Sequence, residues 1–170
     1  MSIQPDTARD TLRQLAATLA YRAAKVLRDV PPSFATYKLS PTSRTPVEII
    51  AHMGDLMQWG TWLARGEHTW KADGSTDWNR ELPRFFRLLG ELDALIAAEE
   101  FNGSVEKLIQ GPLADALTHV GQLSLMRGAA GMPVRPESYA RAEIVAGRVG
   151  LDQPAAKAEF DGDASKPKGG

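Results

Sequence analysis

The chain has 170 residues, 43% hydrophobic and 24% charged, with a net charge of -1 and no cysteine. That length suits one domain with a real core, and the near-zero charge provides no global field toward nucleic acid or an anionic membrane. Without cysteine there is no disulfide, no thiolate zinc site and no cysteine nucleophile.

Residues 1–11 include Gln4, Pro5, Asp6 and Asp10 and lack the basic start and apolar core of a signal peptide. No apolar run approaches the ~20 residues that cross a bilayer. The expectation is a soluble, cytoplasmic protein. The first helix follows from Leu12, Leu15, Leu19, Ala23 and Val26, spaced three and four apart, with Asp6 as its expected cap and Pro31-Pro32 as its end. The stretch from Pro31 to Arg44 is long for a tight helix connection and is expected to be a crossover loop.

Thr45-Pro46-Val47-Glu48 announces a second helix: a capping Thr, a proline at the first helical position and a Glu at the third. His52, Leu56, Trp59 and Leu63 share one stripe of it, and Gly66 is its expected terminator. Asp77 caps a third helix, whose apolar face holds Leu82, Phe85, Phe86, Leu89, Leu92 and Ile96. Phe101-Asn102-Gly103 is a turn, and Ser104 caps a short piece running to Ile109.

Gly111-Pro112 is expected to interrupt the chain and start a new helix segment. Leu113, Ala116, Leu117, Val120 and Leu123 are its core stripe, and Asp115, His119, Gln122 and Met126 form the neighbouring one. Gly128 or Gly131, followed by Pro133, stops it. Beyond lies extended loop with a single helical turn near 139–145. The expected division is a domain over 1–151, a helical bundle with a C-terminal extension, and a flexible tail over 152–170.

The chemistry concentrates in Asp115 and His119. Four residues apart on a helix, they project from one face. His52, on the second helix, is a third candidate ligand, and two histidines with one carboxylate can hold a divalent ion and leave coordination positions open. The plain alternative is a hydrogen-bonded polar pair. Asp55 is one turn from His52 and either orients it or pairs with a cation, Gln122 shares the Asp115–His119 face, and Glu48 is explained by the capping box. Trp59 is expected to wall the site, Trp62, Trp70 and Trp78 to pack elsewhere, and His68 to be an exposed loop histidine.

The run Asp115-Ala-Leu-Thr-His-Val-Gly-Gln-Leu123, together with Ile50-Ala-His-Met-Gly-Asp-Leu-Met-Gln-Trp59, resembles the DinB-like metalloprotein family. In element order the resemblance covers roughly residues 8–150. It implies an all-α four-helix bundle, commonly a homodimer, with a divalent metal held by three side chains. One histidine of the family pattern comes from the second helix and corresponds to His52. Two come from the fourth as His-x-x-x-His; the second corresponds to His119, and the first is replaced here by Asp115. The carboxylate makes the ligand set harder and more anionic, favouring Zn, Ni, Fe or Mn with bound water.

What the resemblance implies for activity is a metal-dependent hydrolase or a transferase using a low-molecular-weight thiol on a small-molecule substrate. The alternative is a non-catalytic dimeric bundle with a vestigial site. Motifs for a nucleophile elbow, a phosphate loop, a dinucleotide fingerprint and a His-Glu-x-x-His zinc helix are all missing. The arginines are scattered among acids, so neither nucleic acid nor membrane is an expected partner.

Overall fold

The computed structural model describes residues 5–160 and is all-α. Among those residues no strand forms, and one isolated antiparallel bridge joins Glu137 to Glu159. The helices are α1 (Pro5–Leu27), α2 (Pro46–Ala64), α3 (Trp78–Ala97), α4 (Val105–Leu108) and α5 (Ala114–Ala129). α4 and α5 are joined by a π-helical segment, Ile109–Leu113, so that they run on as one helix and four helices enclose the core. No helix among the described residues is long and apolar enough to cross a membrane.

Local hydrogen bonds set most boundaries. Asp6 lies within α1 instead of ahead of it, and the chain leaves α1 through Asp29, which takes a left-handed φ of 57°, a conformation that short polar side chains tolerate better than branched ones. In α2 the Thr45 hydroxyl accepts from the Glu48 amide and the Glu48 carboxylate accepts from the Thr45 amide, closing the capping box. Gly66 ends α2 at φ 82°. Asp77 accepts from the Asn79 amide, and Ser104 from the Lys107 amide.

The expected break at Gly111-Pro112 does not occur. Pro112 has no N–H to give to an earlier carbonyl, and the chain absorbs the loss by widening into the π segment. α5 then ends at Ala129, with Gly131 in the left-handed region at φ 78°.

α1 and α2 each pack against both α3 and α5. Leu12, Leu19, Ile50, Met53, Met57, Phe85, Leu89, Leu92, Ile96 and Leu113 lie fully buried between them. The linker from 31 to 45 carries a short 3-10 turn, Pro32–Thr36, whose Phe34 is buried and meets the Trp78 ring edge-on.

Charged groups lock three of the four helix pairs. Arg13 of α1 grips Asp93 of α3 through two hydrogen bonds. Arg84 of α3 bonds Asp55 and Gln58 of α2, and also Glu81. Arg127 of α5 donates to the carbonyls of Val26 and Arg28 at the C-terminal end of α1, where a cation meets the negative pole of the helix.

The segment expected as a tail begins packed. Gln153 and Ala158 are buried, and Glu159 joins Glu137 around Lys25 of α1 at 2.7 Å each. Tyr21 donates to the same Glu137 at 2.7 Å. The order comes from these long-range partners, which composition does not reveal. Residues 161–170 of that expected tail lie outside the described residues.

Candidate metal centre

α2 and α5 lie side by side, and their facing stripes bring His52, Asp115 and His119 together. One donor atom from each falls within 4.8 Å of the others, a group able to hold a metal ion. His52 Nε2 is 3.6 Å from Asp115 Oδ2, and His119 Nε2 is 3.4 Å from Asp115 Oδ1. Donors at about 2.1 Å from one ion at tetrahedral angles lie about 3.4 Å apart; each histidine lies near that distance from a different Asp115 oxygen, and the three donor atoms spread over no more than 4.8 Å, so a bound ion would draw them inward. The imidazole rings meet edge to face, with centroids 4.9 Å apart. His119 is buried, while His52 and Asp115 are half-exposed on the open side.

Gln122, one turn past His119, determines which imidazole nitrogen is free. The His119 Nδ1–H donates to Gln122 Oε1 at 2.8 Å, which leaves the Nε2 lone pair facing Asp115. Burial pushes the His52 pKa below its ordinary 6.5; His119 and Arg44 push the same way, and Asp115 opposes them. A neutral imidazole is the form that binds a metal. The donor set thus fits a divalent cation in number and in donor type.

The other sequence candidates separate clearly. Asp55 does not serve His52: it is buried, accepting from Arg84 Nη2 at 2.6 Å and from the Asp73 amide at 3.0 Å. Glu48 is held by Thr45. His68 is exposed and accepts from Lys107 at 3.3 Å, outside the triad. Trp59 is near the site, but through Trp70: their rings meet at 5.9 Å, and Trp70 meets His52 at 6.0 Å. Trp70, expected to pack elsewhere, therefore flanks the triad while half-exposed. In the C-terminal extension, Tyr139 meets Tyr21 and Arg22, and Glu143 meets Lys157, apart from the triad.

On the opposite flank a cavity of about 320 Å³ opens beside His119. Ile49 of α2 and Gln122, Leu125 and Met126 of α5 line it, and the linker adds Leu39, Ser43 and Arg44. The linker residues escaped sequence reading because they belong to no periodic element. The proline-rich spacing indicated a crossover, but not what it crosses.

No known protein family, curated protein or solved structure was found to match the chain.

Proposed function

We propose that this protein is a DinB-like four-helix-bundle metalloprotein whose crossover loop, from Pro31 to Arg44, runs along the bundle. It holds one divalent ion through His52, Asp115 and His119 and acts on a small molecule as a metal-dependent hydrolase or thiol-dependent transferase. The observation that carries the reading is the triad itself. Three donors from two helices converge at coordination spacing beside a cavity that a small molecule can enter.

A divalent ion there supplies Lewis acidity to a water or an external thiol. The chain's own residues do the rest. Gln122 keeps the His119 proton on Nδ1. Trp70 covers the His52 side, and the cavity walls admit the substrate next to His119. With no cysteine in the chain, a thiol reaction needs a thiol cosubstrate. The resemblance also supports a homodimer.

The test is elemental analysis of untagged protein beside His52→Ala. Near-stoichiometric Zn, Ni, Fe or Mn, lost in the variant, supports the site. Absence of metal in both, even after reconstitution, sinks the enzyme reading in favour of a non-catalytic bundle.

A further inference from the structure

Resting on the metal-site reading for its catalytic meaning but not for its binding, we infer that the cavity beside His119 selects a small, largely apolar molecule carrying one negative charge. The walls are apolar: Leu39, Ile49, Leu125 and Met126. Two of these, Leu39 and Leu125, are large hydrophobics exposed by 46% and 63%, a cost to a free surface that a bound apolar group relieves. The single charged side chain lining the cavity is Arg44. Among the described residues Arg44 makes no ion pair, and Glu48, which feels its charge, is hydrogen-bonded by Thr45.

The remaining polar liners do not compete for a ligand's charge. Ser43 Oγ accepts from the Leu39 and Ser40 amides and donates to the Ser40 carbonyl. Gln122 Oε1 is occupied by His119. An anion in this cavity therefore has one cation to meet, the exposed Arg44, and planar guanidinium geometry suits a carboxylate. At about 30 Å³ per water-sized group, 320 Å³ holds about ten heavy atoms. That is the size of an aryl or branched-alkyl acid. With its carboxylate at Arg44, such a ligand lies along the wall and presents its remainder to His119.

The probe is phenylacetate, compared with its neutral isostere phenylacetamide. Each is titrated into isotopically labelled protein and followed by amide chemical shifts, once after chelation and once with zinc added. Phenylacetate is expected to shift Leu125 and Met126 and to bind about fivefold tighter than the amide, the upper end for a charge pair at an exposed arginine. Arg44→Gln is expected to abolish that preference, and Leu125→Asp, at an exposed position that leaves the core intact, to reverse it. Equal binding of acid and amide, retention of the preference in Arg44→Gln, or shifts that map elsewhere would overturn the inference. The chelated arm keeps the two readings apart: Arg44-dependent binding by protein that never takes up zinc upholds the anion site and defeats the metal centre. Zinc uptake without acid preference does the reverse.

Discussion

Gly111 and Gly121 are both on the composite helix that carries Asp115 and His119, and alanine should act on them with opposite sign. A Cβ at Gly111 would be 2.9 Å from Trp59 Cη2 and 3.0 Å from Cζ3. An ordinary contact begins near 3.4 Å, so the indole must retreat by roughly half an ångström, and Trp70 stands beside it at 5.9 Å. Overpacking of this kind costs about 1–3 kcal/mol. Alanine gains about 1 kcal/mol over glycine in a helix interior, and less within a π segment, so the net is about 1 kcal/mol of destabilisation. At Gly121 a Cβ meets nothing within 4 Å, and only the gain of about 1 kcal/mol remains. The two variants should thus differ by about 2 kcal/mol, near 1 M in urea midpoint for a slope of about 2 kcal/mol per molar. Gly111→Ala should also weaken zinc binding, because Trp59 contacts Trp70 and Trp70 contacts His52, so that a displaced indole disturbs the ligand. Urea unfolding followed by far-UV circular dichroism reads the stability, and a competitive zinc titration reads the affinity. A Gly111→Ala protein as stable as its parent, with unchanged affinity, would refute the argument that this glycine exists to admit the indole.

His119→Ala should lose bound metal while keeping its helical circular dichroism; a collapse of helicity would make the cluster chiefly structural. Arg84→Met should cost about 3–5 kcal/mol in denaturant, because it removes the buried guanidinium that pairs with both Asp55 and Glu81; a loss below 1 kcal/mol would contradict that. Burial alone would raise the Glu81 pKa, but the Ser75 hydroxyl and amide and the Arg84 guanidinium outweigh it and hold the carboxyl below its ordinary 4.5. The folded state therefore binds fewer protons than the unfolded one in acid, so this stabilisation is complete above about pH 4.5 and is lost as pH falls through the folded pKa. Glu81→Gln should accordingly show a shallower fall of stability between about pH 5 and 3, and an unchanged slope would assign acid unfolding to other groups. Glu137→Gln removes the charge shared by Tyr21 and Lys25 and should cost about 1–3 kcal/mol, with faster proteolysis near residue 153 as its local sign.

Thr45, Asp77 and Ser104 were legible because each cap satisfies amides no more than three residues away. The Asp115–His119 pair was legible for a similar reason: helix periodicity alone places both on one face. His52 needed more, since only packing of α2 on α5 brings it within 3.6 Å of Asp115. Asp55 had two open roles, and the partner that decided between them, Arg84, is on another helix. Trp70, Leu39 and Arg44 left no periodic trace, because loop residues reach the site by tertiary routing. The run Gly111-Pro112 reads locally as a break, and the structure instead continues the helix by widening it around Pro112, with Trp59 packed close against Gly111. The ordered stretch after 152 depends on Lys25, more than a hundred residues earlier.

The distribution of polar contacts gives the triad a second meaning. α1 and α3 are tied by Arg13, α2 and α3 by Arg84, and α1 and α5 by Arg127. Between α2 and α5, among the described residues, the one polar side-chain link is His52 with Asp115 at 3.6 Å. That distance is longer than a hydrogen bond, so this seam is the least fastened of the four. A cation bridging it would complete the set of cross-helix ties, and its binding energy would appear as folding stability, about 2.7 kcal/mol at a hundredfold excess over Kd. The helix pair that is free to carry a site is the one that the rest of the molecule does not clamp.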